Sequence, residues 1–109
     1  MPKFLSLFSY SEESLAAMID SPGDREPKVR RVLESVGAEL EVFYWMFGTY
    51  DGLAIIEAPD SLTMAGVSAA ISSTGTVRGE TYEVFSTADI RTILATAQQA
   101  RQSFTEPGS

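Results

Sequence analysis

An α+β fold, β-α-β-β-α-β followed by one further C-terminal helix, is predicted by three observations. Strand-like and helix-like segments alternate in that order along 109 residues. Each of the two crossovers carries a helical pattern between strands. One central strand, ELEVFYWMF at residues 39–47, is bulky on both alternating sides. A chain of this length fits one domain, and a domain of this size can bury a modest core without disulfides or metals.

The elements follow in order. Residues 3–10, KFLSLFSY, are rich in Phe and Leu and partly alternate, which predicts a first strand. Ser11 is placed to cap a helix over residues 12–20. Glu12 and Glu13 favour its first turn because they face the positive end of the helix dipole, and Leu15, Met18 and Ile19 give it an apolar edge. Ser21-Pro22-Gly23 interrupts that helix. Asp24 is placed to cap a second helical segment in which Pro27 falls in the tolerant first turn. Val29, Val32, Leu33 and Val36 recur at the spacing of one buried helix face, and Gly37 ends it where a left-handed residue is usual.

In the strand over residues 39–47, strict alternation puts Leu40, Val42, Tyr44 and Met46 on one side and Phe43, Trp45 and Phe47 on the other. Gly48-Thr49-Tyr50-Asp51-Gly52 reads as a hairpin turn, and residues 53–58, LAIIEA, as the third strand. Pro59 closes that strand. Asp60 caps a slim, Ala- and Ser-rich helix over residues 61–72, which Ser73-Thr74-Gly75 ends. Residues 76–85, TVRGETYEVF, form the fourth strand. Thr87 is placed to cap a last helix over residues 88–103, with Ile90, Ile93, Leu94, Ala97, Arg101 and Phe104 as its inner stripe. The prediction is one ferredoxin-like domain over residues 1–104 and a flexible polar tail over residues 105–109.

This order has a consequence for assembly. Right-handed crossovers place both main helices on one face of the sheet. The other face then has no cover within the monomer, and Phe43, Trp45 and Phe47, or else their alternate set, stand in water. An exposed apolar patch of that size marks an interface. A two-fold, sheet-to-sheet pairing of two copies covers it; the C-terminal helix is the competing cover.

Composition excludes several chemistries. The chain holds no cysteine, so it has no disulfide, thiolate nucleophile or zinc-thiolate site. That usage is compatible with a reducing cytosol, and a cytoplasmic location is expected. It holds no histidine, which removes histidine-ligated haem, the common histidine metal sites, histidine acid–base catalysis and the usual serine triad. Neither a metal site nor a cofactor is predicted. With 8 basic against 15 acidic residues the net charge is −7, which argues against a nucleic-acid partner. No apolar run approaches the roughly 20 residues of a membrane span, and Met1-Pro2-Lys3 leads directly into strand-like sequence with no signal-peptide pattern.

The run Phe43-Tyr44-Trp45-Met46-Phe47-Gly48-Thr49-Tyr50-Asp51 resembles the signature of the GYD family, named for its Gly-x-Tyr-Asp motif. The early strand ending in Tyr10, Arg25, Glu57-Ala58-Pro59-Asp60 and Gly75-Thr76-Val77-Arg78 fit the same pattern. The sequence departs from it at Ser11-Glu12-Glu13-Ser14, where Thr-x-Glu-Gly is usual, and at Gly37-Ala38, where a Gly pair is common. The resemblance implies a ferredoxin-like dimeric α/β barrel and carries no activity with it. A similar hairpin occurs in the effector-binding domains of Lrp-type regulators, which form rings and bind small molecules between subunits.

Five residues are singled out as ligand-binding candidates, each with a plain structural reading beside the functional one. Tyr50 and Asp51 either serve turn chemistry or line a pocket at a subunit boundary, offering a ring, a hydroxyl and an acceptor or base. Tyr44 and Trp45 either pack in a core or interface or form an aromatic wall for a flat ligand. Arg78 shares a predicted face with Glu80 and Tyr82 and is either solvated or, if enclosed, paired with Asp51 or Glu57 or bound to an anion. The basic cluster Arg25, Lys28, Arg30 and Arg31 reads as a solvated helix face, with an anion or a neighbouring acidic subunit as the alternative. The predicted function is a homo-oligomeric binding domain for a small organic ligand, with the site inside or between subunits. The alternative is a cofactor-free, oxygenase- or isomerase-like enzyme in which Asp51, Glu57 or Tyr50 is the acid–base group and Arg78 stabilises an anionic intermediate.

Overall fold

A computed structural model describes residues Met1–Ser109. Its elements are β1 (Lys3–Tyr10), α1 (Glu12–Asp20), α2 (Glu26–Glu34), β2 (Glu39–Trp45), β3 (Gly52–Glu57), α3 (Ser61–Ser73), β4 (Val77–Val84) and α4 (Ile90–Ser103). The four strands form one antiparallel sheet in the order β2-β3-β1-β4. The fold is α+β and ferredoxin-like, with a C-terminal helix. No helix is long and apolar enough to cross a membrane.

Local chemistry explains the boundaries. Ser11 accepts the backbone N–H of Ser14 and Asp60 that of Thr63, so α1 and α3 start where side-chain caps satisfy otherwise free donors. Burial does not offset this hydrogen bond at Asp60, and the Thr63 N–H holds its carboxyl below the usual value. At α2 the cap falls one residue later than the sequence suggests: Arg25 occupies the position, while Asp24 accepts the Glu26 N–H at 3.0 Å. Gly37 closes that segment at φ 77°, the left-handed conformation that favours glycine.

The register fixes which face each strand residue occupies, because directly opposed residues in an antiparallel pair share a face. Phe4, Phe8, Leu40, Ala54 and Ile56 point to one side and are buried with Leu33 of α2 and Met64 and Val67 of α3. Both crossover helices therefore cover the same face. On the other face lie Leu5 and Leu7 of β1, opposite Leu53 and Ile55 of β3. Val42 and Tyr44 of β2 extend that apolar surface, and Tyr82 and Val84 of β4 border it.

The alternation expected in β2 is corrected by a β-bulge. The register shifts between Leu40 and Val42, so Glu41 is an extra residue against β3. Leu40 consequently joins Phe43 and Trp45 on the helix side, and of the expected apolar set only Val42 and Tyr44 take the open face within β2. A single inserted residue reverses the phase of everything after it, which a strict two-residue period cannot anticipate. β2 also ends at Trp45, earlier than expected. Met46 N–H donates to the Asp51 carbonyl at 2.7 Å, and Phe47 stands wholly in solvent.

Three further expectations are overturned. Val32 and Val36 do not sit on the buried face of α2; they are 47% and 41% exposed, and only Leu33 of that helix is fully buried. The last helix begins at Ile90 after a single 3₁₀ turn over Thr87–Asp89, not at 88 under a Thr87 cap. Its expected inner stripe is not inner: Ile90, Ile93, Leu94 and Phe104 are all exposed, and no residue of α4 is buried. The helix stands off the body. The radius of gyration is 17.8 Å, with a longest extent of 58 Å, against about 13 Å expected for a compact domain of this length. α4 does not lie across the open sheet.

Candidate functional site

The hairpin motif Gly48-Thr49-Tyr50-Asp51 sends its side chains in different directions. Asp51 is bound into the backbone. Its Oδ2 accepts the Tyr10 N–H at 2.9 Å, its own N–H donates to the Phe8 carbonyl at 2.8 Å, and its carbonyl accepts from Met46. The residue ties the tip of the β2–β3 hairpin to the end of β1. Gly52 follows because the ring of Phe8 lies over it; a Cβ at this position would stand 2.3 Å from that ring.

Tyr50 turns toward β4. Its hydroxyl interacts with the Glu80 carboxylate, which raises the tyrosine pKa above its ordinary value. Tyr82 donates its hydroxyl to the same carboxylate and is raised for the same reason. Accepting from the two phenols, Tyr82 first, keeps Glu80 below the usual carboxylate range. Glu80 and Tyr82 oppose Leu7 and Leu5, so this polar cluster borders the open face. Arg78 lies on the same face opposite Ser9 and is exposed. None of the three ion pairs in the structure includes it: Lys3 pairs with Glu41 and Glu57, and Arg30 with Glu26. Asp51 and Glu57, named from the sequence as possible Arg78 partners, are engaged elsewhere.

Tyr44 and Trp45 diverge. Tyr44 lies on the open face opposite Leu53. Trp45 lies on the helix side, tilted against Tyr10 with ring centroids 5.4 Å apart. Of the five residues selected from the sequence, Tyr44, Tyr50 and Arg78 are therefore brought to one face, Asp51 anchors the hairpin beneath them, and Trp45 belongs to the opposite side.

On that opposite side sequence reasoning missed a second feature. α2 and α3 both pack on the sheet but stand apart, leaving a groove of about 350 Å³ between them. Phe8, Ala54 and Ile56 form its floor, Val29 and Leu33 one wall, and Val67 with Ile71 the other. Phe8 is held in place by stacking on Phe43 at 5.6 Å and by an edge contact with Tyr10 at 5.8 Å. Arg25 and Lys28 of the basic cluster line the groove, whereas Arg30 is bound to the Leu40 carbonyl and to Glu26. The signal available in the sequence was the thinness of α3, whose Ser68 and Ser72 line the groove.

The GYD domain family model matches residues 4–94. The chain is 29% identical over 91 residues, 83% of its own length and 95% of the relative's, to a Thermus thermophilus protein described as "Glutamine synthetase and cystathionine beta-lyase binding protein". No solved structure matches the chain.

Proposed function

The chain belongs to the GYD domain family, and we propose that it is a homo-oligomeric binding module: two copies pair through their open sheet faces, and the assembly holds a small organic ligand inside or between subunits. One observation carries this reading. Leu5, Leu7, Val42, Leu53 and Ile55 form a continuous apolar surface that no element of the chain covers, since α2 and α3 pack on the other side and α4 points away. Apolar surface of this extent drives association because removing it from water is favourable.

The borders of the face support the same reading. The Lys3–Glu41–Glu57 ion pairs lie at one end, and Tyr50, Glu80, Tyr82 and Arg78 lie along the β4 side. An apolar centre with a polar rim is the ordinary make-up of a protein interface. Tyr44, Tyr50 and Arg78 then sit where two subunits and a ligand would meet. The engagement of Asp51 with the Tyr10 backbone and the separation of Arg78 from any carboxylate favour binding over acid–base catalysis.

The relative's description favours a second reading, in which the module also binds other proteins. α4 is the element suited to it, with Ile90, Ile93, Leu94 and Phe104 exposed along a protruding helix. Native mass spectrometry of the protein as purified from cells tests both readings. An even-numbered oligomer of the 11.8-kDa chain, with or without a co-purified compound, supports the first. Stoichiometric capture of a different protein by the full chain, lost on removal of α4, supports the second. A bare monomer contradicts the oligomeric module.

A further inference from the structure

The groove between α2 and α3 combines two properties rarely left together in a free protein. Its floor and walls are apolar, and its volume of about 350 Å³ lies within the usual range of small-molecule sites, about 300–1,000 Å³. At its lip stand two cations with no counter-charge. Neither Arg25 nor Lys28 takes part in any ion pair, in a chain with seven more acids than bases. Arg25 goes further: its Nε is shielded from solvent and has no acceptor. An Arg N–H removed from water without a partner is unfavourable, and an acceptor arriving from a ligand relieves that.

We propose that this groove binds a small amphiphilic carboxylate, with its apolar body over Phe8 and Ile56 and its charged end against Arg25 and Lys28. The inference rests on the small-molecule part of the proposed function and moves the site from the subunit boundary into each protomer. Tyr10 also lines the groove and adds a hydroxyl to it; burial raises its pKa, and the charge of Arg25 opposes that rise. Planar guanidinium donors suit a carboxylate, and the nearby ammonium adds charge without demanding geometry. Charge also decides against the helix that remains unpartnered. α4 carries Arg91 and Arg101 and no acidic residue, so seating it in the groove would bring like charges together.

Methyl-resolved NMR of the full chain, titrated with octanoate and separately with 1-octanol, tests this. Octanoate is expected to shift the methyl signals of Val29, Leu33, Ile56 and Val67 and leave those of Leu5, Leu7 and Leu53 in place. 1-Octanol should bind at least tenfold more weakly, and Arg25→Gln should weaken octanoate about tenfold without changing 1-octanol. Lys28→Gln, an exposed position, should show a smaller loss of the same sign and covers the case in which the Arg25 variant is poorly folded. Equal affinity for the acid and the alcohol overturns the proposal, as does no binding at millimolar octanoate. Shifts confined to Leu5, Leu7 and Leu53 also overturn it, yet leave a small-molecule site at the subunit boundary standing.

Discussion

The carboxylate of Asp51 accepts the backbone N–H of Tyr10 at 2.9 Å, across 41 residues of sequence. That one bond joins the most distinctive motif of the chain to the end of its first strand. It gives Asp51 a structural duty, and the Tyr10 N–H would lose its partner without it. Asp51→Ala should lower stability by roughly 1–3 kcal/mol, the effect of leaving a part-buried donor unsatisfied. Asp51→Asn retains an acceptor oxygen and should fall well short of that. Urea denaturation followed by Trp45 fluorescence measures both.

Gly52 should resist even a methyl group. An added Cβ meets the Phe8 ring at 2.3 Å, and that ring is fixed by Phe43 and Tyr10. Gly52→Ala is expected to destabilise the fold by about 1–3 kcal/mol, as overpacking of a filled core does. Gly66→Ala, on an open helix surface with nothing near the added atom, is the matched control and should be neutral to stabilising.

The tyrosines report on Glu80. Tyr50 and Tyr82 are raised above 10.0 by hydrogen bonding to its carboxylate, whereas Tyr10 is raised chiefly by burial. A raised phenol pKa means the folded state holds its proton longer than the unfolded chain. The associated stability is present below pH 10 and lost as pH climbs through the folded values. Absorbance titration at alkaline pH should show these ionisations delayed. Glu80→Gln should bring Tyr50 and Tyr82 back toward 10.0 and leave Tyr10 unchanged.

Asp60 supplies the opposite sign. Its pKa is lowered from 3.8 by the Thr63 N–H it caps, so the folded state favours the carboxylate. The contribution is complete above the unfolded value and lost as pH falls through the folded one. Asp60→Asn should therefore flatten the acid side of the melting-temperature profile below about pH 4, with little change at neutral pH because asparagine also caps well.

Much of the architecture was legible in the sequence because local chemistry and fold agree. Ser11 and Asp60 cap the helices they precede, Gly37 terminates the segment it follows, and the hairpin forms at the Gly-rich turn. The misreadings have specific causes. Glu41 inserts a bulge that no alternation pattern reveals, and it exchanged Leu40 for a different face of the sheet. The stripe on α4 is truly amphipathic, yet periodicity states only that a face wants cover and not that the same chain provides it. The slimness of α3 hinted at a groove, but its width depends on how far apart α2 and α3 stand, a distance set by packing. Tyr44, Tyr50 and Arg78 share a face, as two-residue spacing and the turn allow, but Trp45 follows Tyr44 by one residue and must point the other way.

Sedimentation velocity of the wild-type chain beside Leu53→Lys addresses the open sheet face most directly. Leu53 opposes Leu7 and Tyr44 at the centre of that face and is not a member of the buried core cluster, so the protomer should stay folded on substitution. The wild type should sediment as a dimer or larger even-numbered assembly at micromolar concentration. Burying one unpaired ammonium per subunit should weaken that association by more than about a hundredfold. A wild-type chain that sediments as a monomer at millimolar concentration, or an assembly indifferent to Leu53→Lys, would contradict pairing through this face.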